Sequence, residues 1–381
     1  MLESEVRSRH ARGWMRWAVA SAMVILLLSS GDWPSAATAP MPLSGRVIPM
    51  PRTYLCSRSN GPIAVDGMLD DAGWRQAAWT EDFVDIEGYF KPIPRFRTRA
   101  KMTWDDSCFY IGAELREPDV HATLTKRDTV IFHDNDFEVF IDPNGDNLEY
   151  YEMEMNALNT VWDLFLPIPY KDGGHPMDSW DIEGLKTAVA VNGTLNHAQD
   201  TDSGWTVEIA MPWRSLATYA HKPAPPAEGD RWRVNFSRVE WEFTAAGGKY
   251  QKIPGKREDN WVWSPQWVVD MHRPEMWGYV QFTSGQTRLA SPDKAWEVKC
   301  ILHGIYYAER RFFERERRWA STFSELGYNA APVSAQGKAA ALHAGGSGFR
   351  VSLQLLLPSG RVERWNIRQD SRIWADTLAH N

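Results

Sequence analysis

The sequence predicts an all-β protein, an antiparallel β-sandwich of jelly-roll-like kind followed by a small C-terminal α+β appendage. Between about residues 54 and 285, short runs alternate apolar and polar side chains and stop at clusters of Gly, Pro, Asp and Asn. That is the period-two pattern of half-buried strands. No long amphipathic helix interrupts these runs, and after Ser291 the apolar period changes to that of a helix.

The elements follow in chain order. Arg7, Arg9, Arg12 and Arg16 precede an apolar run from Ala18 to Leu28, and small residues follow from Ser35 to Ala39. This is the layout of an export signal, and the run is shorter than the ~20 residues a membrane span needs. Residues 1–39 are therefore read as a signal peptide cleaved near Ala37 or Ala39. The mature protein is expected to be exported, periplasmic or extracellular, with no stable membrane span. A Pro-rich linker covers 40–53, and the sandwich covers 54–285.

Within the sandwich, Arg97 to Trp104 and Phe109 to Leu115 flank the polar turn Asp105-Asp106-Ser107, which predicts a hairpin. Phe137, Val139 and Ile141 alternate with Glu138 and Phe140 and stop at Asp142-Pro143-Asn144-Gly145. Tyr151, Met153 and Met155 alternate with Glu152, Glu154 and Asn156, as Val207, Ile209 and Met211 do with Glu208 and Ala210. Further strands are predicted at Leu185 to Val191, Trp232 to Val239 and Trp277 to Phe282, giving two stacked sheets.

In the segment 291–327, Ala295, Val298, Ile301, Leu302, Ile305, Ala308 and Phe312 recur at helical spacing. Thr322 and Glu325 predict a capping box for a short second helix ending at Gly327. Residues 328–381 read as a loose stretch leading to a hairpin, Phe349 to Leu357 and Val362 to Arg368, around Pro358-Ser359-Gly360.

Composition narrows the function. The formal net charge is -7 with no basic stripe, so no nucleic-acid partner is expected. Three cysteines, Cys56, Cys108 and Cys300, allow at most one internal bridge and match no metal spacing. Tryptophan is the outlier at 20 residues, several times ordinary usage, so some indoles are expected to do more than pack.

Several segments, in order, resemble carbohydrate-binding module family 9 and the exported proteins built on it. They run from Ile63-Ala64-Val65-Asp66-Gly67-Met68-Leu69-Asp70-Asp71-Ala72-Gly73-Trp74 through Phe109-Tyr110-Ile111-Gly112-Ala113 to Asp134-Asn135-Asp136-Phe137-Glu138-Val139-Phe140-Ile141-Asp142-Pro143. Tyr150-Tyr151-Glu152-Met153-Glu154-Met155-Asn156-Ala157, Gly204-Trp205-Thr206-Val207-Glu208-Ile209-Ala210-Met211-Pro212-Trp213 and Trp232-Arg233-Val234-Asn235-Phe236 complete the set. The resemblance spans roughly 54–282. It implies a β-sandwich that binds polysaccharide or oligosaccharide without catalysis in carbohydrate catabolism, beside a glycoside hydrolase partner, with structural calcium.

A sugar site pairs indole faces, which pack on C–H patches of a pyranose, with planar polar groups for the hydroxyls. Trp162, Trp180, Trp241, Trp261 and Trp263 lie in loop-like segments with Asp163, Asp181, Glu240, Glu242, Asp259 and Asn260 nearby, and these five are the carbohydrate-binding candidates. Trp74, Trp205 and Trp232 fall in strand or core patterns. For calcium, Asp134, Asp136 and Asp142, with Asn144 and Asp146, offer oxygens over a short span, but the spacing fails the EF-hand template and equally suits turn formation.

Two alternatives stay open. A glycoside hydrolase or lyase would use a facing pair among Glu138, Glu152, Glu154 and Glu208, although alternation with cross-strand Lys or Arg partners also accounts for them. A haem-binding sandwich would use Met153 or Met155 with Lys101, although no haem-attachment motif is present and such methionines suit a core.

Overall fold

A computed structural model describes residues 48–285, 288–289 and 293–377. The expected signal peptide, most of the linker and the last four residues lie outside the described residues. In chain order the first strands are β1 (Thr53–Ser57), β2 (Val84–Asp85), β3 (Thr98–Trp104), β4 (Cys108–Leu115), β5 (Asp136–Asp142), β6 (Tyr150–Asn156), β7 (Val161–Leu166), β8 (Lys186–Asn192) and β9 (Gly204–Pro212). A short helix α1 (Trp213–Leu216) leads to β10 (Arg231–Glu240), β11 (Phe243–Ala246), β12 (Lys249–Lys252), β13 (Asp259–Val262) and β14 (Gly278–Thr283). Helix α2 (Trp296–Glu316) then precedes β15 (Ala341–Gly345), β16 (Gly348–Leu356), β17 (Val362–Arg368) and β18 (Ile373–Thr377).

These strands form the expected sandwich. One sheet has the order β3-β4-β9-β8 and the other β1-β14-β10-β5-β6-β7, with β13 also paired to β10 and β2 paired to β13. All pairings are antiparallel except β1 with β14, which run parallel. The alternation read from the sequence sets the faces. Phe109, Ile111, Val207, Ile209 and Met211 from one sheet meet Phe137, Val139, Ile141, Met153, Met155, Val234 and Phe236 from the other in a single buried core. Trp74, Trp205 and Trp232 are buried at 3, 2 and 0 % exposure, as their patterns predict. All three cysteines are free.

The N-terminal loop is clamped to the first sheet through Glu208. Its carboxylate accepts the N–H groups of Asp66 at 2.9 Å and Gly67 at 2.8 Å and the Trp74 indole N–H at 2.6 Å. Gly67 has φ +90°, and a Cβ there would lie 2.7 Å from the Ala190 backbone nitrogen, so this close approach requires glycine.

The appendage differs in detail from expectation. Its predicted hairpin is the centre of a four-stranded sheet, β15-β16-β17-β18, because the stretch read as loose contains β15 and the segment after β17 returns as β18. Val298, Leu302, Ile305 and Tyr306 of α2 bury against Phe349, Val351, Leu353 and Ile367 of that sheet. The second helix does not form. Thr322 and Glu325 exchange the capping contacts, Thr322 N–H to Glu325 Oε2 at 3.1 Å and Glu325 N–H to Thr322 Oγ1 at 3.4 Å, but the segment continues as turns to Gly327. So short a helix has too few propagating bonds to offset its nucleation cost.

A buried polar layer joins appendage and sandwich. Tyr306 O–H donates to Asp172, Arg310 donates to the Lys171 carbonyl at 2.7 Å, and Arg273 donates to the Tyr307 hydroxyl at 2.9 Å. Lys171 stands 3.8 Å from Glu275, and Arg372 donates to Asp146 at 3.1 Å. Helix α2 thereby backs the loop between β7 and β8. Among the described residues, no helix is long and apolar enough to cross a membrane.

Candidate functional site

The alternation that sends Phe137, Val139, Met153 and Met155 inward sends Glu138, Glu152, Glu154 and Asp136 to the opposite face of the larger sheet. There the register builds a row across four strands: Ser237 of β10 opposes Glu138 of β5, which opposes Glu154 of β6, which opposes Trp162 of β7. The next row is Asn235, Phe140, Glu152 and Leu164. Adjacent side chains in such rows stand about 5 Å apart.

This outer face is covered. Asp136 is fully buried, and Glu138, Glu152 and Glu154 are 5, 4 and 2 % exposed. The turn Ile131–His133 lies against β6 and Phe132 N–H donates to Glu154 Oε2 at 3.0 Å. On the other flank Phe140, Tyr150, Leu164, Leu166 and Trp277 form an apolar patch with Trp162, Tyr170 and Met271 packed on it. The Tyr150 hydroxyl bonds His272 Nδ1 at 2.8 Å, and the Tyr170 ring sits edge-on to that imidazole with centroids 4.4 Å apart.

Among the described residues, none of the four carboxylates forms an ion pair with Lys, Arg or His, so cross-strand pairing with basic side chains does not account for them. Burial pushes Glu138 up to about 7, with the Ser237 hydroxyl partly offsetting it. Burial first, and the Glu138 charge second, raise Asp136, Glu152 and Glu154 well above the ordinary carboxylate range. Asp136 Oδ2 and Glu152 Oε2 have no hydrogen-bond partner. Asp178 stands beside Trp162 and is likewise raised by burial, the indole partly offsetting it. Raised in this way, the buried carboxyls are held toward their neutral form, which can donate as well as accept a hydrogen bond.

The five sequence-predicted tryptophans separate. Trp162 is half-buried on β7, in the carboxylate row. Trp180 is half-buried and stacks on Tyr151 at 5.0 Å between centroids, backing the core. Trp241 is half-buried, its N–H donating to the Phe132 carbonyl at 2.8 Å and its face covered by Lys252 Nζ at 3.4 Å. Trp261 and Trp263 are corrections: they are 3 and 0 % exposed within the sandwich core and offer no face to a ligand. The segment read as a loop is β13 and its continuation. Trp263 packs so closely on Gly278 that a Cβ there would lie 2.3 Å from its ring, and Trp261 faces the Arg238 guanidinium at 5.2 Å.

The proposed metal set is also corrected. Asp136 and Asp142 end a seven-residue strand and so stand about 20 Å apart. Asp134 is engaged by Thr123 N–H at 2.7 Å, Leu124 N–H at 2.8 Å and Asn156 Nδ2 at 3.0 Å, and Asp142 by Gly145 and Asn147 N–H at 2.8 and 2.9 Å. Asp134 and Asp142 therefore stabilise loops, and Asp134, Asp136 and Asp142 do not fit one calcium ion. Asp136 instead approaches Glu138 and Glu154, with one oxygen from each lying within 4.8 Å of the others.

Of the carboxylates read as a hydrolase pair, Glu138 and Glu154 do face each other across β5 and β6. Glu208 lies on the smaller sheet, away from the other glutamates. Lys101 donates to the Leu69 carbonyl at 3.1 Å while its neighbours Ala100 and Met102 face the core that holds Met153 and Met155, so lysine and methionines lie on opposite sides of a sheet and cannot ligate one haem. Sequence reasoning missed Phe132, Tyr170, Asp178 and His272 because they sit in irregular loops; the signal that was present is the run of carboxylates at alternate positions of β5 and β6.

Residues 65–228 match the family model described as "Carbohydrate family 9 binding domain-like". Among curated proteins, the chain is 27% identical over 156 residues to the exoglucanase XynX of Acetivibrio thermocellus, covering 41% of this chain and 12% of that protein. It is 29% identical over 116 residues to endo-1,4-beta-xylanase A of Thermoanaerobacterium saccharolyticum, covering 30% of this chain and 8% of the relative. The chain thus spans only a small part of the length of these relatives. Similar solved structures include a family 9 carbohydrate-binding module from Caldicellulosiruptor kristjanssonii in complex with cellotriose, at 15% identity and TM-score 0.40 over 64% of this chain and 99% of that one. A putative carbohydrate-binding protein from Bacteroides uniformis gives 15% identity and TM-score 0.43 over 61% of this chain and 99% of that one.

Proposed function

With residues 65–228 matching the carbohydrate family 9 binding domain-like model, we propose that the protein binds carbohydrate, without catalysing its cleavage, at the Trp162 edge of the larger sheet. The observation that carries this placement is the Glu138–Glu154–Trp162 row, where a half-exposed indole adjoins buried carboxylate acceptors that have no cationic partner. A pyranose packs its C–H patch on the Trp162 ring, and a hydroxyl donates to the exposed Asp178 beside it. Phe132 and Tyr170 bound the space on either side.

The named relatives, an exoglucanase and a xylanase, set the probes: cello- and xylo-oligosaccharides. The proposal includes export and action beside a glycoside hydrolase in polysaccharide utilisation, which the positively charged, then apolar, N-terminus supports. Titration of the purified chain followed by Trp fluorescence and calorimetry tests it. Binding that weakens at least tenfold in Trp162→Ala, with the fold kept, is the expected result. No response to any neutral oligosaccharide, or a Trp162→Ala protein that binds as wild type, refutes it.

The proximity of Glu138 and Glu154 favours one second reading, hydrolysis by a carboxylate pair. Reducing ends released from the same oligosaccharides, and abolished in Glu154→Gln, would establish it.

A further inference from the structure

We propose that the outer face of the appendage sheet, on β16, β17 and β18, binds a polymer of uronic acid residues, its carboxylates taken by Arg350 and Arg364 and a sugar ring laid on Trp374. Helix α2 covers one side of that sheet through Phe349, Val351, Leu353 and Ile367. The period of two therefore sends Arg350, Ser352 and Gln354 of β16 and Arg364, Asn366 and Arg368 of β17 to the other side. The register places Trp374 of β18 beside Asn366, in the row that begins at Ser352, and Arg364 beside Gln354. Arg350, Arg364 and Arg372 are exposed and Trp374 is half-buried, so this face, unlike the covered one of β5 and β6, meets solvent. It lies outside residues 65–228 and does not rest on the sugar reading of the Trp162 edge.

Charge selects the ligand. The chain has a formal net charge of -7, yet residues 293–377 hold 13 Lys and Arg against 9 Asp and Glu, so the appendage is the basic part of an acidic protein. On its outer face Asp370 already binds Arg368 at 2.7 Å, Asp376 accepts the Asn366 amide at 3.0 Å, and Arg372 donates to Asp146 at 3.1 Å. Among the described residues, Arg350 and Arg364 form no ion pair. A guanidinium presents a planar pair of N–H donors that matches a carboxylate. Arg364 opposes Gln354, four residues along β16 from Arg350, so the two backbones stand roughly 14 Å apart, and a chain with a carboxylate on every sugar spans both. The Trp374 ring centre lies 5.6 Å from the Arg350 guanidinium and 6.0 Å from that of Arg372, which sets an indole for C–H packing next to the cations. Ser352 and Gln354 offer a hydroxyl and an amide to the sugar hydroxyls. Four arginines against two aspartates suit one anion per ring rather than a densely sulfated chain.

The purified chain is tested by biolayer interferometry against polygalacturonate and alginate, in EDTA so that no divalent ion cross-links the polymers. Binding to at least one of them is expected, weaker at about 0.3 M than at about 0.05 M salt. Methyl-esterified polygalacturonate, with the same backbone and no charge, is expected not to bind. Arg350→Gln with Arg364→Gln should weaken polyuronate binding at least about tenfold and leave titration with cello- and xylo-oligosaccharides as in wild type. Arg75→Gln with Lys126→Gln makes the same change of charge at exposed positions elsewhere and should bind the polymers as wild type. Wild type that binds neither polymer, binds the methyl ester equally or binds dextran sulfate more tightly overturns the proposal, as does an equal loss in the two double variants. The wild-type comparison decides even if a variant fails to fold. The neutral-oligosaccharide titration on the same samples separates failure of this face from failure of the Trp162 site.

Discussion

His303 of α2 accepts a hydrogen bond at Nε2 from the Asn147 side-chain amide, 3.1 Å away across the junction between appendage and sandwich. Its Nδ1 faces the Lys299 carbonyl at 2.9 Å and must carry the proton, so both contacts require the neutral ring. Burial, with Lys171 and Arg273 against Glu275, lowers His303 to about 4, and burial with Lys171 lowers His272 to about 3.

Both histidines therefore make the fold acid-sensitive. Below about 6.5 an unfolded chain takes up protons that the folded chain refuses, so their contribution is complete above that pH and falls as pH drops toward the folded values. The loss approaches about 1.4 kcal/mol per pH unit for each ring. The raised carboxylates of β5 and β6 act in the opposite direction, so the quantity to measure is a difference. Urea denaturation of wild type and His303→Gln at pH 7.5, 6.5 and 5.5 should show the gap between them shrinking as pH falls. A constant gap would refute the assignment.

The tryptophans should divide by role. Trp263→Ala removes a fully buried indole and should cost about 3–5 kcal/mol in denaturant unfolding, with Trp261→Ala close behind. Trp162→Ala should cost less than half of that while removing sugar binding. Equal stability losses in all three would place Trp162 in the core with the others.

Arg238 is fully buried at the end of the core, donating to Glu117, to Glu240 at 2.8 Å and to Thr98 at 2.9 Å. Arg238→Met leaves two buried carboxylates without their cation and should destabilise by about 3–5 kcal/mol. Adding Glu117→Gln and Glu240→Gln should recover part of this. Chemical denaturation of the single and triple variants gives the comparison, and no recovery would mean that lost packing, not charge, sets the cost.

Glu208→Ala leaves the Asp66, Gly67 and Trp74 donors without their acceptor and should cost about 2–4 kcal/mol, with faster proteolysis of the N-terminal loop. Glu208→Gln keeps an acceptor oxygen and should cost less. Limited proteolysis followed by mass spectrometry locates the cut, and an unchanged loop would show that the clamp is redundant.

The strands legible in the sequence were those whose two faces differ in polarity. Phe137-Glu138-Val139 and Tyr151-Glu152-Met153 announce both their period and their orientation. β7 and β13 were not legible, because Val161-Trp162-Asp163-Leu164 and Asp259-Asn260-Trp261-Val262 put acids and amides beside indoles in a way that resembles a ligand loop. In β7 the acid proved to face inward: Asp163 is buried, accepting the Ile182 N–H at 2.6 Å and the Arg127 guanidinium. Register was beyond reach as well. Alternation places Glu138 and Glu154 on outer faces, but only the pairing of β5 with β6 sets one opposite the other.

The parallel pairing of β1 with β14 brings the two points where the chain joins the sandwich to one edge of the larger sheet. Trp162 lies on β7, the opposite edge, five strand spacings and therefore roughly 24 Å away. Helix α2 nevertheless reaches back from that edge to the loop after β7, where Tyr306 and Arg310 hold Asp172 and Lys171 beside the patch that carries Tyr170 and Trp162, so the appendage and the Trp162 edge form one neighbourhood.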